Sequence, residues 1–208
     1  MKSILEAIQA RRSINYFDPR RTIPQADLEK ILDLAALAPS AYNSQPWEVY
    51  TVVTPEMKSK LRAACYNQAK IEEASAVFVI AGDLEGADKN SLQVSADMVR
   101  LGYFNDDHAD KFRKAMSAGN GERGTTARAK FTTINVSLFA MNLMLAAQGI
   151  GYETHPMGGF DEEAVRKVLD MPAEQTAIII VTIGFLRPDT TLLPRVYRRP
   201  AAEFNKFL

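Results

Sequence analysis

The sequence predicts an α+β fold in which helices outweigh strands and flank a mixed or antiparallel sheet of about four to five strands. Three segments have the β-branched and aromatic content of strands, and two of them are almost wholly apolar, which is typical of strands inside a sheet. Apolar residues between them recur at helical spacing. A chain of 208 residues can bury a substantial core, so we expect a single domain over residues 1–208.

Two helices are predicted at the start of the chain. SILEAIQARRS indicates a short helix, and TIPQADLEKILDLAALAP indicates a longer one. In the longer helix Thr22 and Gln25 have capping-box spacing, Pro24 suits the first turn, and Pro39 stops the helix. The predicted apolar positions are Ile4, Leu5 and Ile8 in the first helix and Leu28, Ile31, Leu32 and Ala35 in the second.

Three strands and three shorter helices follow. EVYTVV, beginning at Glu48, predicts a strand, and AVFVIAG at 76–82 predicts a second, central one. PEMKSKLRAA and QAKIEEA predict short helices between them. FDEEAVRKVLDMP predicts a helix that Asp161 begins, and TAIIIVTIGF predicts a third, strongly apolar strand.

The region from Thr125 to Ala147 predicts a buried central helix that ends at Gly149–Gly151. The last segment, LLPRVYRRPAAEFNKFL, is rich in Arg and Pro, and we expect residues 192–208 to run extended over a surface. The predicted apolar face of the central helix is Phe131, Ile134, Leu138, Met141 and Leu145, broadened by Phe139, Leu143 and Met144.

Composition excludes several classes of function. Lys plus Arg and Asp plus Glu both number 25, and a pI near 6.8 gives no general electrostatic reason to bind nucleic acid. No apolar run is judged long enough to span a membrane, and the first residues lack a signal-peptide core. Cys65 is the single cysteine, which excludes an internal disulfide framework. We therefore expect a cytoplasmic protein.

Two short motifs are interpreted as structural. GNGERG at 119–124 matches G-x-G-x-x-G, but a helical segment precedes it where a dinucleotide site needs a strand, and no acidic residue follows at the required distance. DDHAD, with His108, fits the acidic start of a helix better than a metal site. The lone Cys65 is expected to be a small buried thiol.

Four polar or basic patches remain, and each has a structural alternative. The guanidiniums of Arg11-Arg12-Ser13 and Arg198-Arg199-Pro200 suit a phosphate monoester, or they lie solvated at a helix end. HPMGG at 155–159 lets backbone N–H groups approach a flat ligand, or it forms an ordinary turn. APSAYNSQPW at 38–47, which contains the only Trp, contributes amides and hydroxyls to a ligand, or it caps the preceding helix.

Together these patches resemble the FMN-dependent nitroreductase family. The resemblance rests on Arg11-Arg12-Ser13 followed by Phe17, the APSAYNSQPW turn, YNQAK at 66–70, HPMGGFDEE and a terminal Arg-Arg-Pro. It covers essentially the whole chain in the right order and spacing. It implies an α+β sheet with flanking helices, built as an intertwined homodimer with an FMN at each of two interface sites.

The resemblance also implies which residues hold FMN. Those for the phosphate and ribityl chain are Arg11, Arg12 and Ser13, joined by Arg198 and Arg199. Those for the pyrimidine edge of the ring are Asn67 or Gln68, and Lys70. Those lying near N5 are Pro156, Met157, Gly158 and Gly159. Those contributed by the opposite subunit are Pro39, Ser40, Ala41, Asn43 and Gln45, with Trp47 packing beneath.

Three positions depart from the family pattern. Asn15 stands where many relatives carry Arg or Lys, so this cofactor contact lacks a charge. Gly158 stands where some members have Glu, and His155 is unusual before that Pro; it packs or donates a proton. The acceptor pocket is implied to lie along a variable helical excursion at 102–128, with Tyr103, Phe104 and Phe112.

The implied function is ping-pong hydride transfer from NAD(P)H through flavin N5 to a nitroaromatic or quinone, with no metal and no side chain as the catalytic group. Two alternatives stay open. The first is a flavoenzyme of the same fold with other chemistry, such as dehalogenation or dehydrogenation. The second is a non-catalytic dimeric module that binds a phosphorylated ligand.

Overall fold

The computed structural model describes residues 2–208, and its centre is a four-stranded antiparallel sheet. The strand order is β1-β2-β4-β3, so the apolar segment at 76–82 lies inside the sheet, as predicted. This confirms the α+β class. The strands are β1 (Trp47–Val52), β2 (Ala76–Asp83), β3 (Glu153–Met157) and β4 (Gln175–Gly184).

Helices cover both faces of the sheet. Because side chains alternate along a strand, β2 sends Phe78 and Ile80 into one apolar cluster and Val77 and Val79 into another. The first cluster contains residues of α2 and α7, and the second contains residues of α3 and α8. The helices are α1 (Ile4–Ala10), α2 (Gln25–Ala35), α3 (Pro55–Ala64), α4 (Lys70–Glu73), α5 (Gly86–Arg100), α6 (Asp106–Asn120), α7 (Thr126–Ile150), α8 (Glu162–Leu169) and α9 (Ala201–Phe204), with a 3₁₀ turn at Ala41–Asn43.

The structure corrects the predicted start of α2. Pro24 is the N-cap, and no side chain caps it, so the Thr22–Gln25 capping box does not form. Gln25 is the first helical residue rather than the third, and its amide donates to Glu29 at 2.7 Å. A capping box forms instead at α1, where the Ser3 hydroxyl accepts from the Glu6 N–H at 3.3 Å.

Helix α7 is the central helix, but its buried face is not the predicted one. Ile134, Leu138 and Met141 are 51%, 43% and 38% exposed. The residues that broadened the predicted stripe are buried, and Trp47 stacks on one of them, Phe139, with ring centroids 5.0 Å apart. The helix is apolar on two sides, so apolar spacing alone did not identify the side that meets the sheet. The buried face consists of Thr132, Asn135, Val136, Phe139, Ala140, Leu143, Met144 and Ala147.

The ends of α7 and the C-terminal segment follow the sequence closely. Gly151 adopts the left-handed conformation that ends α7. By length and composition α7 is able to cross a bilayer, contrary to our reading of the sequence, but in this structure it packs against the sheet and α2. Residues 191–200 have no regular structure and are exposed, and only the single turn α9 interrupts the extended arm.

Candidate functional site

A chain of hydrogen bonds joins three of the predicted patches. The His155 ring contacts the Ile14 carbonyl through Nδ1 at 2.8 Å and the Lys70 ammonium through Nε2 at 3.2 Å. Lys70 Nζ also donates to Gln68 Oε1 at 3.3 Å, and Gln68 Nε2 donates to the Gly159 carbonyl at 2.9 Å. Strand β3 and the turn before α4 are therefore held together around one lysine.

The partners of His155 determine its protonation. A carbonyl oxygen can only accept, so Nδ1 carries the proton toward Ile14, and the Nε2 lone pair accepts from Lys70. Burial, followed by the charge of Lys70, lowers the pKa of His155. Burial also lowers the pKa of Lys70, and no carboxylate among residues 2–208 forms an ion pair with this ammonium. The lysine is thus a cation held by neutral groups.

Four arginine side chains lie where the end of α1 meets the C-terminal arm: Arg11, Arg12, Arg195 and Arg198. Arg195 Nη2 donates to the carbonyls of Gln9 and Arg11 at 2.6 and 2.8 Å, and Arg12 Nη2 donates to the Leu193 carbonyl at 2.9 Å. Burial and the neighbouring charges of Arg195 and Arg198 lower the pKa of Arg11, and the nearby Glu153 carboxylate partly opposes this shift without forming an ion pair.

None of these four arginines (Arg11, Arg12, Arg195, Arg198) pairs with a carboxylate within the described chain. By contrast, Arg199 interacts with Glu203 in α9. Positive charge left without a partner in a fold is suited to an anionic ligand such as a phosphate. Arg195 was missed by the sequence reasoning, although LLPRVYRRP contains it.

Two turns carry unusual backbone strain. Tyr42, Asn43 and Gln45 have φ angles of 58°, 54° and 45°, and Tyr66 and Asn67 have φ angles of 51° and 56°. Left-handed conformations in residues other than glycine are costly and concentrate at functional sites. These turns are the ones that the sequence assigned to a ligand.

The turn at 39–45 is fixed by two asparagines. Asn135 is buried in α7, and its Oδ1 accepts from the Ala41 N–H at 2.8 Å. Asn90 of α5 donates from Nδ2 to the carbonyls of Ser44 and Gln45 at 2.9 and 3.2 Å. The sequence reasoning missed both asparagines because each lies inside a helix, where no spacing rule connects it with a distant turn.

Within this chain, the turn at 39–45 is separate from the lysine and arginine groups. In the described part of the chain, no hydrogen bond joins it to residues 11–15, 67–70 or 155–159. It faces the excursion instead: the Tyr42 and Phe112 rings are 6.1 Å apart. The groove beside it is lined by both polar and apolar residues: Asn43, Gln45, Gln93, Val94, Asp97, Met98, Leu101 and Tyr103.

HPMGG proves to be the end of an edge strand rather than a turn. His155 to Met157 belong to β3, and Gly158 and Gly159 follow it. A Cβ at Gly158 would meet nothing within 4 Å, so no packing inside this subunit requires glycine there. The two exposed glycines leave the backbone open on this side of the strand.

The structure also places the remaining motifs. GNGERG begins in the last turn of α6 and continues through the connection to α7, with no strand before it. Asp106 and Asp107 occupy the first turn of α6. Cys65 is fully buried, and burial raises the pKa of its thiol to about 11.

The flanked antiparallel sheet and the cationic, amide-rich site fit a class of α+β proteins that bind an anionic small molecule. Comparison with known proteins makes this class specific. The chain matches the nitroreductase family over residues 8–185. It is 34% identical over 184 residues to YodC of Bacillus subtilis, named as a candidate NAD(P)H nitroreductase, and the match covers 88% of this chain and 90% of YodC.

Two further relatives extend this match. The chain is 33% identical over 182 residues to the CLA biosynthesis enone reductase of Lactiplantibacillus plantarum, covering 84% of this chain and 81% of the reductase. A protein from Exiguobacterium sibiricum solved in complex with FMN superposes with a TM-score of 0.88 and 26% identity, covering 100% of this chain and 98% of that one. The chain belongs to the nitroreductase family.

Proposed function

We propose that the protein is an FMN-dependent oxidoreductase that uses NAD(P)H to reduce a nitroaromatic or quinone. One observation carries the proposal: guanidiniums without carboxylate partners lie on the same segment, residues 11–15, whose Ile14 carbonyl orients His155 and through it Lys70. The arginines proposed to bind the phosphate and the lysine proposed to face the ring would therefore lie on connected elements. The relative solved with FMN supports the same cofactor.

The donor set fits FMN at each end. The phosphate would be held by the four arginines together with the Ser13 hydroxyl. Arg199 and Asn15, which adjoin these residues along the chain, would border that group. Lys70 and an amide of Asn67 or Gln68 supply donors for the carbonyl oxygens of the pyrimidine edge. When bound, FMN would supply the redox chemistry, which is hydride transfer from NAD(P)H to the acceptor through N5.

The protein contributes placement and charge. Lys70 keeps a positive charge beside the pyrimidine edge, where negative charge would accumulate on reduction. Pro156 and Met157, followed by Gly158 and Gly159, would lie against the ring, and the open backbone N–H groups after β3 would donate toward N5. Because NAD(P)H and the acceptor would use one pocket in turn, we expect parallel-line initial-rate kinetics.

The proposal includes a homodimer in which each site is completed by the partner. The exposed apolar face of α7 is extended by Ile4, Leu5 and Ile8 of α1, which are 61%, 68% and 52% exposed. Exposed apolar area of this kind marks an interaction surface. A second copy on this surface would bring Pro39, Ser40, Ala41, Asn43 and Gln45 of the partner subunit to the flavin.

We further propose one domain over 1–208 in which the excursion at 102–128 borders the acceptor. The Phe104 and Phe112 rings are 5.4 Å apart, and Phe112 also contacts Tyr42 of the strained turn. An aromatic wall beside the Asn43 and Gln45 amides suits a flat acceptor with oxygen atoms at its edge. The use of NAD(P)H as reductant is consistent with the proposed cytoplasmic location of the protein.

The related enone reductase favours a second candidate function. Its name describes reduction of a carbon–carbon double bond beside a carbonyl, and it shares 33% identity with this chain. The proposed residues that hold the cofactor would be the same, and only the acceptor would differ. A panel of nitroaromatics, quinones and enones, each tested with NADH and NADPH, separates the two candidates.

FMN binding itself is tested with purified protein and Arg11→Ala. Loss of one charge-assisted hydrogen bond should weaken FMN binding by about 1.5–3 kcal/mol, measured by quenching of flavin fluorescence. Arg166→Ala, on α8, is the matched control and should bind FMN as the wild type does. A protein that is colourless after incubation with FMN and removal of the unbound flavin would refute the proposal.

A further inference from the structure

The His155 ring contacts the Lys70 ammonium directly. Its Nε2 is 3.2 Å from Lys70 Nζ, while its Nδ1 is 2.8 Å from the Ile14 carbonyl. The ring is therefore fixed from both sides. A proton on Nδ1 and a lone pair on Nε2 are the only arrangement that satisfies both contacts with neutral histidine.

The other groups around the ring are neutral or already engaged. On β4 Thr182, paired with His155, donates its hydroxyl to the His155 carbonyl at 3.4 Å. Helix α7, which also packs on β3, has no charged residue after Lys130. Glu153, on the same strand, interacts with the Gln148 amide. Lys70 is thus the charged group that His155 meets.

We propose that His155 is the positioning residue for Lys70: as neutral imidazole it accepts a hydrogen bond from the ammonium and directs it to the pyrimidine edge of FMN, and as imidazolium it releases the lysine. The inference rests on the proposed function, because it concerns the cation assigned to that ring edge. It gives His155 a role that neither packing nor proton donation supplies.

The expected pH dependence has a definite sign. Protonation removes the acceptor and places two cations next to each other, so FMN affinity falls as the pH falls. Burial and the Lys70 charge keep His155 neutral below its ordinary range, so the loss appears only at acid pH. The FMN phosphate also titrates near pH 6 and changes the affinity of every variant. The effect of His155 is therefore measured as the difference in FMN affinity between wild type and a His155 variant at the same pH.

His155→Gln is the decisive variant, because its amide oxygen can replace Nε2 as an acceptor and does not titrate. We expect its FMN affinity at about pH 8 to stay within about threefold of wild type. At about pH 5 the wild type should lose about tenfold more affinity than His155→Gln does. His108→Gln removes the other, exposed histidine and should follow the wild-type profile.

A second measurement needs no flavin. The chain has two histidines, so ring ¹⁵N NMR of the apoprotein resolves His155 directly. Lys70→Met should raise the pKa of His155, because it removes a neighbouring positive charge. This shift tests the contact between the two side chains on which the inference rests.

The outcomes separate the inference from the proposed function. Normal FMN binding with parallel pH profiles for wild type and His155→Gln would overturn the role of His155 alone. An unchanged His155 pKa in Lys70→Met would overturn it as well. Failure of the wild type to bind FMN at any pH would refute the proposed function, and the flavin part of this inference with it.

Discussion

At the scale of single residues, Asn135 connects the central helix to the strained turn. Its side chain is 2% exposed, and it both accepts from the Ala41 N–H and donates to the Phe131 carbonyl. This buried amide is costly to remove, because the Ala41 N–H is left without its acceptor. The Phe131 carbonyl keeps its backbone hydrogen bond within α7. Asn135 should therefore affect both stability and the ligand turn.

We expect Asn135→Ala to lower the free energy of unfolding by about 1–3 kcal/mol and to weaken FMN binding. Urea unfolding and flavin titration measure the two effects. Asn142→Ala is the matched control, because Asn142 lies on the same helix and caps α2 through Leu34 and Ala35 instead. Equal FMN affinity in Asn135→Ala and wild type would show that the turn does not depend on this bond.

Cys65 gives a second prediction at this scale. Its thiol is fully buried, and burial raises its pKa to about 11, so little thiolate exists at about pH 8. The native protein should react with a thiol reagent only after unfolding, and the unfolded protein should react rapidly. Mass spectrometry measures the rate of labelling. Fast labelling of the folded protein would contradict the buried position of Cys65.

At the scale of elements, α7 presents two apolar faces with different roles. Leu143 is fully buried against the sheet, whereas Leu138 is 43% exposed on the face that we assign to the second subunit. Helix position and type were predictable, since spacing, Thr125 and Gly151 define its ends. The choice of buried face was not, because both faces satisfy the same periodicity.

Leu138→Glu should convert the proposed homodimer to a monomer and impair FMN binding, because a charge would be buried without a partner at the proposed interface. Light scattering with size-exclusion chromatography measures the change. Leu143→Ala is the contrasting variant, expected to cost about 2–5 kcal/mol of stability and leave the oligomeric state unchanged. A dimeric Leu138→Glu protein would place the interface elsewhere.

At the scale of the whole molecule, ligand binding and folding are linked. FMN that binds only the folded protein should raise the free energy of unfolding by about 2.7 kcal/mol at 100 times its dissociation constant. Arg198→Ala should reduce this gain at equal FMN concentration, since it removes a guanidinium from the group near α1. Chemical denaturation of both proteins with and without FMN measures this increase in the free energy of unfolding. Identical increases in wild type and Arg198→Ala would argue against a contact between Arg198 and FMN.

The stability of the apoprotein should also depend on pH through His155. Its pKa is lowered on folding, so the unfolded chain binds more protons between the folded and unfolded values. Stability contributed by neutral His155 is therefore present above about pH 6.5 and declines as the pH falls toward the folded value. The His155 contribution cannot exceed about 1.4 kcal/mol per pH unit.

This slope is measured by urea unfolding of wild type and His155→Gln between about pH 5 and pH 7. His155→Gln should show the smaller decrease at acid pH. Equal slopes would indicate that the ring gains or loses no proton affinity on folding.

The sequence by itself predicted the α+β class, three of the four strands and most of the helices, because these depend on local periodicity and turn chemistry. It did not predict α5 or the edge strand β3. Its short motifs indicated the family, and the family resemblance in turn suggested the proposed cofactor residues. Only the tertiary structure decided which distant groups meet: Asn135 with Ala41, 94 positions apart, and His155 with Lys70, 85 apart. It also decided the buried face of α7 and added Arg195 to the arginines that we propose to bind the phosphate. The physical reason is that hydrogen bonds and charges act over a few ångströms in space, whereas spacing along a chain describes only neighbours on one element.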